Sequence, residues 1–374
     1  MQKMTFKILI PSLFLGVLLL SVPATGQDPD PAAEFSGLVE VSEVLLDVLV
    51  TDKNGNVVLG LEPDDFIVEE KNADVPVTGV SFYSNRFELR EGEPGKIQKP
   101  APNEVLADRY FILFFHDQRR NVVDTSRLLR QQFEASRHSQ RWVREEMLPG
   151  DWVAVVSYDF KLKVHQDFTQ DRTLLEQAIQ NAAKGKDPGN VWKSRRAGVP
   201  EGQPTLLSYL PEGKALRKET TRIYDAMRLL AEASRDILGR KNLLLFSFGF
   251  GEVERIAGGQ FTTQGDERFY PDLEQSLNDN NVAVYPIDLT PSEFEHIQSH
   301  FLTQLAEDTG GYYYENFVNF LTPMQQIADE SNGYYLLSYQ TEHPSGESGY
   351  RTVEVRTRNP EFKVRTRRGY LYGS

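Results

Sequence analysis

The chain has 374 residues, 40% of them apolar and 25% charged, an ordinary globular composition with ample material for a core. Its net charge of -13 argues against nonspecific binding to nucleic acid or anionic membrane. Cysteine is absent, which excludes disulfides, thiol chemistry and cysteine-based zinc sites.

Lys3 and Lys7 precede an apolar stretch from Ile8 to Val22, then Ala24-Thr25-Gly26. A positive flank, a short apolar core and small residues read as a signal peptide over 1–26, cut after Gly26. The alternative is an uncleaved anchor, for which the stretch is short and interrupted by Pro11. No second apolar span follows, so the mature chain is expected to have no transmembrane segment and to be exported to a periplasmic, cell-envelope or extracellular site.

A Pro- and Asp-rich linker occupies 27–37. An N-terminal β segment is expected over 38–88. Val44, Leu46, Val48 and Val50 share one face of its first strand. Asp52 to Asn56 contains Asn-Gly, the strongest short hairpin signal, and Val57 to Leu59 is expected to resume as strand. Phe66 to Glu69 and Val75 to Tyr83 complete a small antiparallel sheet of about four strands. A polar linker spans 89–107.

From 108 to 332 the pattern changes. Tyr110 to Phe115 is an apolar run of strand length, suited to a sheet buried on both faces. It ends at His116-Asp117, and a helix is expected from about Thr125 to Met147. Trp152 to Tyr158 is a second buried strand and Leu162 to Phe168 a return arm. A helix from Asp171 to Ala183 starts at an Asp cap. Lys184 to Lys218 reads as irregular and holds eight Lys/Arg against three Asp/Glu. Further helices are expected at 224–238, 273–280, 293–308 and 321–331. Strands are expected at 242–246, 282–287 and, briefly, 312–314. Alternating strands and helices make a doubly wound, mostly parallel sheet. Ligands of such sheets lie beyond the carboxyl ends of the strands. In 333–374 the pattern returns to antiparallel strands at 334–339, 350–356 and 362–367. This segment is expected to pack against 38–88.

The motifs FFHD, RWVREEMLPGDWVAVVSYD, TRIYDAM, GRKNLLLFSFG, VAVYPIDL and LAEDTGGYYYE, in that order, resemble a von Willebrand factor type A (VWA) domain. With VTDKNGNVVLGLEPDDFIVEE before them and VRTRRGY behind, the mature chain resembles a bacterial exported VWFA-related family. The resemblance implies an α/β, Rossmann-like fold, inserted in or flanked by a small antiparallel β-sandwich, and a binding role toward proteins. It also implies a metal-ion-dependent adhesion site at the carboxyl edge. Carried across, the first Asp is Asp117 and the Thr is Thr221. The two serines fall on Arg119 and Asn121. The last Asp falls on Phe248, beside Ser247. Two of five ligands are kept, Asn121 offers an amide oxygen, and Arg119 cannot ligate because it is always cationic. The ligand-binding set is thus Asp117, Arg119, Asn121, Thr221 and Ser247. Asp117 and Thr221 are metal ligands only toward a weakly held Mg²⁺ or Ca²⁺, and no other cofactor is expected.

Other candidates are weaker. Asp124-Thr125-Ser126 suits a helix cap as well as a ligand loop. His296 and His300 are at i,i+4 without the Glu of a metalloprotease motif. Asp159 and Asp288 end strands, where they either add charge to the crevice or cap turns. The Gly249-Phe250-Gly251 and Gly258-Gly259 loops carry no Gly-Lys phosphate pattern, and no Gly-x-Ser-x-Gly occurs. The leading reading is therefore a non-enzymatic adhesion or scaffold module. Its expected partner is a protein, one that can present a carboxylate to Arg119. The alternative is an enzyme, or an enzyme accessory subunit, using acidic residues at the sheet edge.

Overall fold

The computed structural model describes residues 39–84, 108–118, 125–188, 202–255, 261–291, 298–344 and 346–373. The expected signal peptide, both linkers, Arg119, Asn121, Asp124, His296 and Gly258-Gly259 lie outside the described residues.

In chain order the elements begin with β1 (Val39–Thr51), β2 (Phe66–Glu70), β3 (Ala73–Val75) and β4 (Val77–Ser84). The α/β part contributes β5 (Arg109–His116), α1 (Thr125–Glu145), β6 (Asp151–Tyr158), β7 (Leu162–Thr169), α2 (Arg172–Ala183), α3 (Gly213–Glu219) and α4 (Ile223–Ala233). It continues with β8 (Lys241–Ser247), β9 (Glu252–Arg255), β10 (Phe261–Gln264), α5 (Tyr270–Asp279), β11 (Val282–Asp288), α6 (Ser299–Asp308) and α7 (Leu321–Glu330). The chain ends in β12 (Gly333–Pro344), β13 (Gly349–Thr357), β14 (Lys363–Arg365) and β15 (Gly369–Tyr372).

The central sheet has the order β11-β8-β5-β6-β7. Its first four strands are parallel and β7 returns antiparallel to β6. Strand β5 is buried on both faces, which is why its sequence is a continuous apolar run rather than an alternation. Ile112 and Phe114 point to a core completed by α4, α5 and α6 through Leu230, Leu273 and Leu305. Phe111, Leu113 and Phe115 point the other way, to Trp142 of α1, Ile179 of α2 and Ile327 of α7. Each such side chain, fully buried, contributes about 1.5–3 kcal/mol of transfer free energy. Helix α2 starts where expected, because the Asp171 carboxylate accepts from the N–H groups of Thr173 (2.8 Å) and Leu174 (3.1 Å).

The remaining strands form two four-stranded sheets, β14-β1-β12-β4 and β15-β13-β2-β3. Leu46, Val48, Leu337 and Tyr339 of the first face Phe66, Val68, Val353 and Val355 of the second. Both sheets combine strands from the two ends of the chain: they alternate in the first, while in the second β13 and β15 sit side by side and β13 pairs with β2. The fold class is the one the sequence implied: an α/β, Rossmann-like, mostly parallel sheet with helices on both faces, flanked by an antiparallel β-sandwich.

Several local expectations are corrected. The Asn-Gly turn forms, but only Val57 pairs back onto Thr51. Longer partners, β12 and β14, occupy the two edges of β1. The N-terminal strands do not make one sheet but divide between two. The stretch 184–218 is not wholly irregular, since α3 closes it; its residues 189–201 lie outside the described ones. Helix α4 ends at Ala233 rather than 238, where the Ser234 hydroxyl donates to the Ala231 carbonyl at 2.8 Å. Tyr312–Tyr314 is not a strand; Tyr314 alone bridges to Ile287. The β9–β10 hairpin and β15 had no expectation.

Candidate functional site at the carboxyl edge of the sheet

Strand β5 hands its pairing on beyond its own end, for the Asp117 N–H donates to the Tyr158 carbonyl at 2.8 Å. Its last residue, His116, is buried, and its Nδ1 lies 2.8 Å from the Ser247 hydroxyl of β8. That hydroxyl also accepts from the Gly249 N–H at 2.9 Å. Burial drives the His116 pKa down to about 3, against the opposing pull of Asp117. The imidazole is therefore neutral at ordinary pH and serves as an internal strut.

Gln118 makes a second tie. Its Nε2 donates to the Gly249 carbonyl at 2.8 Å, and its Oε1 accepts from the Phe248 N–H at 3.0 Å. Both groups are backbone, and a buried backbone group needs a partner. The loops after β5 and β8 are thus fixed to each other. Gly249 (φ +91°) and Gly251 (φ +123°) supply the left-handed turns that let the second loop fold back.

The implied binding residues are distributed as follows. Asp117 is nearly buried, 9% exposed. Ser247 is fully buried, with its hydroxyl engaged on two sides. Phe248 is half-buried against the core, so no carboxylate stands at that position. Thr221 is exposed, and its carbonyl accepts from the Tyr158 hydroxyl at 2.8 Å. Its neighbour Thr220 is the buried threonine. There Oγ1 donates to the Leu216 carbonyl (2.7 Å) and accepts from the Leu162 N–H (3.0 Å). Arg222, next along, pairs with Asp225 at 2.9 Å and stacks 4.0 Å over the ring of Phe269.

Among the other candidates, Asp288 is a turn residue that accepts from the Thr290 N–H (2.7 Å) and the Tyr313 hydroxyl (2.8 Å). His300 is exposed near the start of α6, and Thr125-Ser126 open α1. Among the described residues no group of three or more His, Asp or Glu is arranged to hold a metal ion.

The residue that the sequence reasoning passed over is Phe160. It sits in the turn from β6 to β7 with φ +77°, a region bulky side chains rarely adopt, and it is 48% exposed. Such a conformation costs on the order of 1–3 kcal/mol and needs support from its surroundings. The support is ionic. Lys163, buried in β7, reaches Asp159 (2.8 Å) and Asp187 (3.0 Å), and Lys161 also reaches Asp187 (3.1 Å). These bonds hold the amino-terminal end of the basic loop at the sheet edge, and they hold Asp187 down to about 2. The available signal was a short turn, Asp159-Phe160-Lys161, without the Gly or Asn that turns with positive φ favour.

No protein-family model matches the chain, and no curated protein matches it either. Among solved structures, the PilB minor pilin from Streptococcus sanguinis is 10% identical over 66% of this chain and 67% of that one, with a TM-score of 0.37. The ArnB paralog VWA2 from Sulfolobus acidocaldarius is 11% identical over 89% and 75%, at 0.31. Proximal thread matrix protein 1 from the mussel byssus, with a zinc-occupied MIDAS motif, is 14% identical over 60% and 48%, at 0.34. These are distant likenesses of fold, and the site is read from its own residues.

Proposed function

We propose that the chain is an exported, non-enzymatic interaction module whose protein partner docks on the carboxyl edge of the central sheet. The observation that carries this reading is Phe160. An aromatic side chain held half-exposed in a left-handed turn, braced by Lys163, Asp159 and Asp187, has the character of a rigid anchor for a partner's pocket. The struts from Gln118 and Ser247 support it by presenting the neighbouring loops in one fixed arrangement, so that little ordering is required on binding.

The chemistry at the edge favours binding over catalysis. Among the described residues there are two Ser–His contacts, Ser247–His116 and Ser157–His165, and both are buried. Burial, with Lys163 adding to it, takes His165 down to about 4, so neither imidazole has a pKa suited to general base work at neutral pH. Among the described residues, the carboxyls whose pKa is raised, Glu274 and Asp279, are on α5 against the sandwich. An enzyme reading would want them in the crevice.

The degenerate adhesion site works, in this proposal, without a tightly held metal. Mg²⁺ requires near-ideal octahedral oxygen coordination. Of the implied donor positions, Phe248 offers no oxygen and Arg119 cannot ligate. Arg119 stands in for the cation and offers its guanidinium fork to a partner carboxylate. The basic segment 184–218 assists by steering an acidic partner toward the edge. The test is capture of partners from the native cell-envelope extract by the wild-type chain and by Phe160→Asp, with Val41→Asp on the sandwich as a surface control. Loss of the same bands with Phe160→Asp alone supports the reading. Equal capture by all three chains contradicts it.

A further inference from the structure

At the opposite, amino-terminal edge of the central sheet, the α/β part and the sandwich enclose a cavity of about 270 Å³. Its walls include Tyr83 of β4, Tyr110 of β5, Tyr285 of β11 and Tyr334 of β12, four tyrosines from four strands. The rings of Tyr83 and Tyr334 stack at 5.7 Å with an interplanar angle of 15°. Leu238 completes the rim. It is 86% exposed, because α4 has already ended and Gly239 (φ +87°) turns the chain beneath it. Pockets at the junction of two folding units, apolar and aromatic with a few fixed polar groups, are where small ligands usually bind.

The polar groups on the walls define the ligand by what they leave over. Arg109 is fully engaged with Asp151, the Ala328 carbonyl and Asn332. Arg240 donates to the Tyr285 hydroxyl and the Gly310 carbonyl. Glu330 pairs with Arg365 at 2.6 Å. Its other oxygen, Oε2, is buried with no hydrogen-bond partner among the described residues, so the wall leaves an acceptor over. Asn242 leaves a second. It is 2% exposed, its Nδ2 donates to the Tyr110 carbonyl at 3.3 Å, and its Oδ1 has no hydrogen-bond partner among the described residues. An orphaned buried acceptor costs free energy unless a ligand or a water satisfies it.

We propose that this cavity binds a planar aromatic molecule carrying an N–H or O–H donor. The aromatic body lies against Tyr83, Tyr334 and Leu238, and the donor satisfies Asn242 Oδ1. The site touches both folding units, so its ligand stabilises their junction by binding only the folded state. It is independent of the carboxyl edge and of any partner that docks there.

Indole and 1-methylindole are suitable probes, because they share the planar body and differ in the donor. Calorimetric titration of the purified chain is expected to show saturable indole binding, with 1-methylindole weaker by roughly fivefold or more. Asn242 is buried and its variants risk misfolding, so the residue-level test uses the exposed positions. Tyr83→Ala and Leu238→Ala are each expected to weaken indole binding at least severalfold with unchanged circular dichroism. Absence of saturable indole binding would leave a water as the partner of Asn242 and overturn the proposal. So would equal binding of the two probes, or unchanged affinity in both variants.

Discussion

The side-chain amide of Gln118 grips the backbone beside Gly249 from both sides, donating to the Gly249 carbonyl at 2.8 Å and accepting from the Phe248 N–H at 3.0 Å. It acts as one more rung between β5 and β8 after the strands themselves have ended. Gln118→Ala leaves two backbone groups of the edge without partners. The expected loss is about 1–3 kcal/mol in urea unfolding. Gln118→Glu keeps the acceptor and removes the donor, and is expected to fall between Ala and wild type. A change within about 0.5 kcal/mol for both would show that water replaces the clamp at no cost.

Arg109 anchors the amino end of the same strand. Its guanidinium pairs with both oxygens of Asp151 (2.6 and 2.7 Å) and reaches Ala328 and Asn332 at the end of α7. Both members of the pair are at most 4% exposed. Arg109→Met strands a buried carboxylate and is expected to cost about 3–5 kcal/mol in thermal or urea unfolding. The double variant Arg109→Met, Asp151→Leu is expected to recover much of that loss, since breaking such a pair is worse than replacing it.

Stability should respond to pH with two opposing slopes. Burial, with Asp308 beside it, raises Glu274 to about 7 from 4.5. The folded state therefore holds this proton when the unfolded chain has released it, and the group's contribution is lost as pH rises from about 4.5 to about 7. His116 and His165 stand at about 3 and about 4 against an ordinary 6.5. There the unfolded chain binds protons that the folded state refuses, so stability is lost as pH falls below about 6.5. Glu274→Gln removes the first slope only. Its unfolding midpoint relative to wild type should be higher at pH 8 than at pH 4; a difference independent of pH would contradict the assignment.

A divalent ion is expected to bind the chain weakly. Calorimetry with Mg²⁺, Ca²⁺ and Mn²⁺ should show no micromolar site, because Phe248 carries no oxygen in its side chain and Arg119 cannot ligate. Micromolar binding that disappears in Asp117→Ala would mean that the adhesion site keeps its metal.

The central sheet was legible because its strands are buried on both faces, and the run from Tyr110 to Phe115 admits little else. The cap at Asp171 was legible for a local reason, a carboxylate placed ahead of a helical pattern. Partner choice in the sandwich was not. The Asn-Gly turn promised a hairpin, but β1 is decided by β12, which begins 282 positions after Thr51 (333 minus 51) and pairs along most of its length. At the candidate site, Asp117, Thr221 and Ser247 could be assigned to the carboxyl edge of the sheet, because each follows or borders a predicted strand or helix. The roles of His116 and Gln118 as struts could not, since a short contact between two loops leaves no periodic trace. Phe160 left only the faint signal of a turn that lacks glycine.

The most direct measurement of the docking proposal is partner affinity with the edge anchor removed and everything else kept. Once a partner is captured and purified, surface plasmon resonance would compare wild type, Phe160→Ala and Val41→Ala, all three checked for equal unfolding midpoints. Phe160→Ala is expected to weaken binding by at least 2 kcal/mol, about thirtyfold, as truncation of a central aromatic anchor does, while Val41→Ala leaves it unchanged. Affinity that survives Phe160→Ala, or falls equally with Val41→Ala, would place the partner somewhere other than the carboxyl edge.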